Sequence, residues 1–347
     1  MFPPLSPPHL KILILKPSSL GDIVHALPVL RLLKRHYRDA DIYWWVETRN
    51  APLLEGDRDL AGLVHFDRQR WGTPWHWGDI WKCVHQLRRH QFDLVIDLQA
   101  LARSSAVGWL AGGKLFVGLL DWRELAPAYY DISVPRPTPN THAVDWYLET
   151  LRVLGVPVDF DFEWMPRRES VAREVAGLLG LNGGPMVALL PGARWENKRW
   201  PAEHFRELVL QLRANDPALR FAILGAGADA ALAKEIASAF PDNCVDLTTR
   251  TSLPQTVEVL RACSAVVTND TGPMHIAAAL GKPVVALFGP TNPRRTGPYG
   301  QIDRALQRSD LPCIPCMKSY CTYREPIACL RGIMPAQVTR EVLKHLQ

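Results

Sequence analysis

The sequence contains no run of the roughly 18 to 20 apolar residues that a helix needs to cross a lipid bilayer. Its first ten residues, MFPPLSPPHL, include four prolines and no Lys or Arg ahead of an apolar core, so a short disordered tail is expected instead of an export signal. A net charge of +5 is too small for a nucleic-acid-binding surface on a chain of 347 residues. These absences predict a soluble, cytoplasmic protein that does not bind nucleic acid.

Cysteine is sparse, with seven residues, as is typical of reduced thiols in the cytoplasm. Four of them crowd into one late loop with the spacing C-x2-C-x4-C-x7-C, namely Cys313, Cys316, Cys321 and Cys329. That is enough thiols for a structural zinc site, although a regular zinc ribbon has two close pairs and the second pair here is wide. Zinc, reduced thiols and disulfides all stay open for this loop.

Tryptophan and charge are unevenly distributed along the chain. Ten of the twelve Trp precede residue 165, and residues 1–164 carry a net charge of −1 whereas residues 165–347 carry +6. A chain of this length exceeds what one hydrophobic core usually organises, so two domains are expected. An aromatic, nearly neutral half and a basic half indicate two different ligands.

Short apolar segments alternate with helical patterns in both halves, which predicts parallel sheets covered by helices. The predicted strands are 11–16, 41–46, 92–98, 186–190, 221–224, 244–247, 265–268 and 284–288. The pattern is interrupted around 159–167 and then starts again, so the simplest account is two Rossmann-like α/β domains in tandem. Ligands of such folds bind beyond the carboxyl ends of the strands.

The first loop with catalytic potential follows the strand at 11–16. Its candidate substrate-binding residues are Ser18 and Ser19. Gly21 permits a tight turn, and Asp22 begins the next helix. Asp at a helix start is usually a cap for the free amides of the first turn. The alternative is a carboxylate that removes a proton from a substrate hydroxyl.

A second loop, residues 191–201, reads PGARWENKRWP and holds three cations within six residues. Its candidate ligands are Gly192, Ala193, Arg194 and Lys198. Free amides at a helix start together with a lysine suit a phosphate or diphosphate. The alternative, a solvated basic loop, is weakened by Trp195 and Trp200.

A third loop, residues 268–275, follows a predicted strand and opens a helix. Its candidate ligands are Asp270, Thr271, Gly272 and His275. The Thr271 hydroxyl and the Gly272 amide could bind phosphate oxygens, and Asp270 could accept hydrogen bonds from sugar hydroxyls. A histidine in the first helical turn is as often packed as functional. A similar small polar loop, FGPT at 288–291, follows the next strand.

One motif points to a different chemistry. Residues 225–230 match the G-x-G-x-x-A fingerprint of dinucleotide binding, with Asp246 about 20 residues further on. Alone it would predict an NAD-dependent enzyme. However, it falls in the second strand–helix unit of the second domain, and an NAD site would leave the other three loops without a role.

Together these loops resemble the heptosyltransferase family that builds the inner core of bacterial lipopolysaccharide, glycosyltransferase family nine with the GT-B fold. The resemblance covers nearly the whole chain and is carried by KILILKPSSLGDIVHALPVL, HAVDWYLETLRVLG, LLPGARWENKRWP, LGAGADAALAKEIA and VVTNDTGPMHIAAALGKPVVALFGPTNP. It implies two Rossmann-like domains facing across a cleft. Residues 1–165 would bind the acceptor and residues 166–347 the nucleotide sugar, with the last helix packing back toward the first domain.

The resemblance also implies roles for individual residues. Asp22 would be the general base, and Lys198 with the backbone of 192–194 would hold the diphosphate. Asp229 falls where the family usually has an acidic residue, more often Glu, on the ribose hydroxyls. The residues implied to contact the sugar and the phosphates are Asp270, Thr271, Gly272 and His275. Related enzymes also carry cysteines near the late Cys loop.

The implied reaction is a single displacement with inversion at the anomeric carbon, in which protein donors neutralise the leaving diphosphate. No metal cofactor is required, and no paired-carboxylate D-x-D site lies in a suitable loop. The expected donor is ADP-heptose. The expected acceptor is a lipid-linked saccharide, which would place the protein peripherally at the inner face of the inner membrane. The alternatives are a nucleotide-sugar epimerase of the same architecture and a non-catalytic sugar-nucleotide-binding module.

The residues that would contact the acceptor are less clearly marked. Trp75 and Trp77 stand in polar surroundings and could stack on saccharide rings, although tryptophan at this density more often serves packing. The candidate partners for an acidic or phosphorylated acceptor are Arg49, Arg68, Arg70 and Arg103.

Overall fold

Buried apolar strands alternate with helices throughout the chain, and every strand pairs in parallel with its neighbours. The computed structural model describes residues 9–71, 77–180, 184–238 and 240–346. The chain divides into two compact units, Met1–Pro166 and Arg167–Gln347. The N-terminal tail up to residue 8, Trp75 and the side chain of Trp77 lie outside the described parts.

The first unit is built on a six-stranded sheet in the order β3-β2-β1-β4-β5-β6. Its strands are β1 (Lys11–Leu15), β2 (Asp41–Glu47), β3 (Gly62–Phe66), β4 (Leu94–Asp97), β5 (Leu115–Leu119) and β6 (Ile132–Val134). The order changes direction at β1, whose neighbours are β2 and β4. A loop that follows β1 therefore lies at the switch point where ligands of such sheets bind.

Helices cover both sides of this sheet. They are α1 (Leu20–His36), α2 (Arg68–Trp71), α3 (Trp77–His90), α4 (Ala102–Ala111) and α5 (Ala143–Val153). On one side, Leu13 and Leu15 of β1 join a core cluster with Leu87 of α3 and Val107 of α4. On the other side α1 packs against α5. Coverage of both faces explains why the central strands are continuous apolar runs.

The second unit repeats the plan, with strands in the order β12-β11-β10-β7-β8-β9. They are β7 (Met186–Leu190), β8 (Arg220–Ile223), β9 (Cys244–Asp246), β10 (Ala265–Asn269), β11 (Val284–Phe288) and β12 (Ala305–Gln307). Here β7 and β10 occupy the switch point, because β8 extends to one side of the pair and β11 to the other. The loops after these two strands therefore meet at one sheet edge.

Eight helices lie in the described residues of the second unit and surround its sheet. They are α6 (Glu169–Leu179), α7 (Ala202–Asn215), α8 (Ala230–Ala237), α9 (Leu253–Ala262), α10 (Gly272–Ala279), α11 (Pro293–Thr296), α12 (Ala328–Arg331) and α13 (Pro335–Leu343). The last helix packs against α7, and Val338 and Val342 belong to the core of this unit. No helix in the described part of the chain is long and apolar enough to span a membrane.

The eight predicted strands are confirmed, with ends that shift by no more than two residues. Four further strands, β3, β5, β6 and β12, were not predicted from the sequence. Three of these are edge strands, and β6 and β12 have only three residues each. Such short edge segments carry too little apolar pattern to stand out from loops.

Candidate functional site

The loop after β1 places Asp22 in the first turn of α1 and fixes its carboxylate. The Ser19 backbone N–H and the Ser19 hydroxyl both donate to Asp22 Oδ2, at 2.9 and 2.7 Å. Ser19 is the N-cap residue of α1, and Asp22, at the third helical position, forms a capping box with it. Asp22 therefore supports the helix start through Oδ2, although it is not the cap residue itself. The Tyr147 hydroxyl lies 3.5 Å from the other oxygen, Oδ1. The carboxylate is half-buried and oriented, which suits it to accept a proton as well.

A buried carboxylate supports the neighbouring strand end. Asp97, the last residue of β4, is opposite Leu15 of β1 and is fully buried. Its oxygens accept hydrogen bonds from the Ser104 hydroxyl at 2.8 Å, the Tyr130 hydroxyl at 2.9 Å, and two backbone amides of the following loop. Burial raises the pKa of Asp97 despite these four donors, and burial beside that carboxylate raises the pKa of Tyr130.

Lys16 joins the two strand ends. Its ammonium donates to the Leu98 carbonyl at 2.8 Å and lies 4.8 Å from the centre of the Tyr147 ring. Tyr147 in turn reaches Asp22, so the lysine and the tyrosine form a support beneath the carboxylate. Asp22 can be identified from its sequence motif, whereas Lys16, Asp97 and Tyr147 cannot. Their roles depend on strand order and on a helix more than a hundred residues away.

In the second unit, the loops after β7, β10 and β11 converge on Asp270. The Lys198 ammonium lies 2.6 Å from Asp270 Oδ2, and the Thr291 hydroxyl donates to the same oxygen at 2.5 Å. The lysine also stands over the Trp195 ring, 4.5 Å from its centre. Both hydrogen bonds therefore fall on Oδ2, and the other oxygen of this nearly buried carboxylate accepts none from the described residues.

The adjacent Asn269 holds the basic loop in shape. Its side-chain amide donates to the Pro191 carbonyl at 2.7 Å, and its oxygen accepts from the Trp200 backbone N–H at 3.0 Å. Trp200 is 1% exposed and bonds the Ile333 carbonyl, so it belongs to the core. The 191–200 loop is thus fastened at both ends by one asparagine at the end of β10. The solvated-loop interpretation is therefore wrong, as the two tryptophans suggested.

The loop after β8 brings Asp229 against Gly192. A Cβ built on residue 192 would stand 2.2 Å from the Asp229 carboxyl carbon, so only glycine fits. Asp229 Oδ2 accepts the Ala226 N–H at 3.0 Å, and Oδ1 lies 3.4 Å from the Arg199 guanidinium. Arg199 also donates to the Ala193 carbonyl at 3.0 Å. The loop expected to bind the phosphates and the loop expected to bind the ribose are therefore in direct contact.

The remaining predicted ligands lie around this centre. Thr271 is the N-cap residue of α10 and makes no side-chain cap bond, and Gly272 opens the helix. His275 lies in the first turn of α10 and is 8% exposed, which is typical of a packed side chain. Arg194 is exposed. The site in the second unit thus combines a lysine, an oriented carboxylate and a helix N-terminus, a set that fits a sugar diphosphate.

The four late cysteines are free thiols that line one small cavity of about 20 Å³. Cys321 Sγ accepts the Ile327 N–H, and burial raises the pKa of Cys329. Within the described ranges, no group of three or more His, Cys, Asp or Glu side chains is arranged to hold a metal ion. The zinc interpretation therefore gains no support from the described residues.

The candidate acceptor arginines of the first unit differ in their surroundings. Arg49 pairs with Glu47 at 3.0 Å, and Arg70 pairs with Asp79 at 3.0 Å. Arg68 and Arg103 are exposed and form no ion pair with any described residue. Two of the four arginines are thus paired with a carboxylate and two are not.

Comparisons with known proteins identify the family of the chain. Residues 80–326 match the sequence model of glycosyltransferase family 9 (heptosyltransferase). The chain is 33% identical to lipopolysaccharide heptosyltransferase 1 of Pseudomonas aeruginosa, over 91% of this chain and 88% of that protein. It is 40% identical to lipooligosaccharide heptosyltransferase 2 of Haemophilus influenzae, over 83% and 86%.

A solved structure extends the similarity to the fold. An E. coli heptosyltransferase with ADP-2-deoxy-2-fluoro heptose aligns with a TM-score of 0.75 at 26% identity, covering 96% of this chain and 99% of the other. The two parallel sheets are therefore those of a GT-B glycosyltransferase. On the family match and the extent of these alignments, the chain belongs to glycosyltransferase family 9, the heptosyltransferases.

Proposed function

We propose that this enzyme transfers a heptose from ADP-heptose to a hydroxyl of a lipopolysaccharide core acceptor, with inversion and without a metal ion. The observation that carries the proposal is the pairing of Lys198 with Asp270, 2.6 Å apart beside the N-terminus of α10. A cation next to an oriented carboxylate matches a ligand that joins a diphosphate to a polyhydroxylated sugar. The names of the relatives and the ADP-sugar in the E. coli structure support the same donor.

The donor would be held mainly by the second unit. The backbone of 192–194 and Lys198 would bind the diphosphate, because backbone amides and a cation suit phosphate oxygens. Asp229 would accept hydrogen bonds from the ribose hydroxyls. The residues proposed for the sugar and the inner phosphate are Asp270, Thr271, Gly272 and His275.

Asp22 would act as the general base. Ser19 holds Oδ2 of its carboxylate and Tyr147 approaches Oδ1, so the group is positioned before the acceptor arrives. In the proposed step, Asp22 takes the proton of the acceptor hydroxyl as that oxygen attacks the anomeric carbon. The bond from that carbon to the diphosphate oxygen breaks, and ADP leaves with its electron pair.

The charge that develops on the leaving diphosphate would be met by protein groups. Lys198 and the first backbone amides of α10 would supply positive charge beside the leaving diphosphate. Three D-x-D sequences lie in the first unit, at 39–41, 57–59 and 159–161. Both carboxylates of the second bind Arg31, and Asp159 of the third pairs with Arg35. The proposed displacement relies on Lys198 and the α10 amides in place of a divalent ion.

Because the proposed acceptor is lipid-linked, the proposal also includes where the enzyme works. The enzyme would work in the cytoplasm and bind peripherally to the inner face of the inner membrane, where such an acceptor presents its saccharide. The first unit would bind that saccharide, because it carries Asp22.

Release of ADP from ADP-heptose tests the proposal directly. We expect release only when a core acceptor is present, together with an increase of one heptose in the acceptor mass. Turnover of the sugar nucleotide without acceptor would indicate an epimerase instead. Binding without any turnover would indicate a non-catalytic module.

The base assignment has its own test. Asp22→Asn keeps the shape of the side chain but cannot take the proton, so turnover should be lost while ADP-heptose binding stays nearly intact. The matched control is Asp39→Asn, an exposed acid just beyond the other end of α1. Near-normal turnover of Asp22→Asn would reject the assignment.

A further inference from the structure

One outer face of the first unit exposes large apolar side chains. Helices α3 and α4 and the 3-10 segment Ala126–Tyr129 form the layer on this side of the sheet. Their inward residues, such as Leu87 and Val107, pack on β1 in a single core cluster. In the same layer Trp81, Trp109 and Leu125 point outward, with exposures of 66%, 61% and 67%. We call this layer, with the turn Trp122–Glu124, the α3–α4 face.

Two contacts hold the segments that carry Tyr129 and Trp122 against α4. The Trp109 and Tyr129 rings lie 6.2 Å apart, which connects the end of α4 to the 3-10 segment. The Glu124 carboxylate accepts the Ala102 N–H at 3.0 Å, which fixes the turn carrying Trp122 to the start of α4. Trp122 is 62% exposed and Tyr129 40%. Apolar residues therefore flank α4 from one end to the other.

The same face is basic. Lys82, Arg88 and Arg89 lie on the exposed side of α3, and Arg103 is exposed in the first turn of α4. Lys82 approaches Asp79 at 3.9 Å, whereas the three arginines form no ion pair with any residue in the described ranges. The carboxylate of Glu124, the acid nearest the start of α4, is engaged with a backbone amide. Tryptophan and tyrosine beside unpaired cations match the chemistry of a bilayer surface.

The face reaches the edge of the sheet that carries Asp22. Helix α4 starts just after β4, and β4 pairs with β1 so that Asp97 is opposite Leu15. Both Asp22 and the start of α4 therefore lie at the carboxyl edge of adjacent strands. A surface that rests on the α3–α4 face would present its headgroups near the proposed base.

We propose that the α3–α4 face docks on a bilayer that contains anionic lipids. The indole and phenol rings would enter the interfacial region, and the cations of α3 and α4 would neutralise lipid phosphates. The choice of a lipid surface over a protein partner rests on this charge complementarity and on the lipid-linked acceptor of the proposed function. Docking itself needs no turnover, so it can be measured separately.

Vesicle flotation tests the docking. The full chain is mixed with phosphatidylcholine vesicles with or without phosphatidylglycerol, and the bound fraction is measured at low and high salt. The apolar variant combines Trp109→Ser, Trp122→Ser and Leu125→Ser, and the basic variant combines Arg88→Gln and Arg89→Gln. The matched control is Leu210→Ser, an exposed leucine on α7 of the second unit. All these residues are exposed, so circular dichroism and thermal unfolding should match those of the wild type.

We expect the wild type and the control to bind only the anionic vesicles, and less at high salt. The apolar variant should bind about tenfold more weakly or worse, and the basic variant should lose roughly fivefold per arginine. Absence of binding by the wild type, or unchanged binding by both variants, would overturn the proposal. So would a change of oligomeric state in the variants, since the face would then contact a second copy.

A parallel assay separates this inference from the proposed function. Transfer to a delipidated, water-soluble core acceptor should be equal in the wild type and both variants. Vesicle binding that depends on the face, without any transfer, would leave the docking intact and reject the proposed function. Transfer to the soluble acceptor without vesicle binding would support the proposed function and reject the docking.

Discussion

Gly192 and Asp229 approach each other so closely that a Cβ on residue 192 would stand 2.2 Å from the Asp229 carboxyl carbon. The two residues follow neighbouring strands, β7 and β8, and they come from the segments proposed to bind the phosphates and the ribose. The absence of a side chain at 192 therefore sets the spacing between these two parts of the donor site.

Gly192→Ala should disturb that spacing. The added methyl must push Asp229 away from Ala226 and Arg199, at a cost of about 1 to 3 kcal/mol, the usual range for overpacking. We expect a lower free energy of unfolding and weaker ADP binding, measured by urea titration and calorimetry. The control is Gly177→Ala, where the added Cβ meets nothing within 4 Å in an exposed part of α6. If the two variants bound ADP equally well, the contact would have no role in the site.

Thr291→Val should remove one of the two partners of Asp270 while keeping the shape of the side chain. Asp270 faces the proposed sugar, so turnover should fall about tenfold, the equivalent of one hydrogen bond, with little change in ADP affinity. Thr291→Ser restores a hydroxyl and should recover most of the activity. If the serine variant were no more active than the valine variant, the Thr291 hydroxyl would not be the group on which turnover depends.

Lys198→Ala should weaken donor binding. The change removes a cation proposed to contact the diphosphate, and it leaves the Asp270 carboxylate, 9% exposed, without its ion-pair partner. We expect the dissociation constant for ADP-heptose to rise at least about tenfold in calorimetry. Lys234→Ala, on the separate helix α8, is the control. Unchanged nucleotide affinity would argue against the phosphate role.

Asp97→Asn should change how stability depends on pH. The pKa of Asp97 in the folded protein is raised above its ordinary value of 3.8, so the folded state retains a proton that the unfolded state has lost. As pH rises above 3.8, wild-type stability should therefore fall relative to the asparagine variant, until the folded carboxyl is also ionised. Asparagine keeps an oxygen for the two backbone amides that Asp97 Oδ1 binds.

Urea unfolding of both proteins across the pH range measures this difference. If the free energy of unfolding of the variant increases relative to that of the wild type as pH rises, the pKa of Asp97 is raised in the folded protein. If the free energy of unfolding of the variant decreases relative to that of the wild type as pH rises, the four hydrogen-bond donors outweigh burial and lower the pKa of Asp97. Asp131→Asn is not a suitable control, because Asp131 bonds the Phe116 amide; exposed Asp39→Asn serves better.

The central strands and the three site loops could be predicted from the sequence, because buried parallel strands are continuous apolar runs followed by small polar residues. The contacts within the site could not. Asn269 is adjacent to a predicted ligand, yet its function requires knowing that β10 pairs with β7. Lys16 and Tyr147 are likewise brought together by the tertiary fold alone. Local pattern fixes where a strand ends, and strand order decides which ends meet.

The anchoring of the 191–200 loop by Asn269 has a thermodynamic consequence. The loop obtains its shape from one buried side chain and from the packing of Trp200, both present before any nucleotide arrives. A ligand that binds a ready-made loop loses little of its interaction energy to ordering the chain. Donor association with this part of the enzyme should accordingly be a simple one-step encounter, with a heat-capacity change set by the nucleotide's own buried surface.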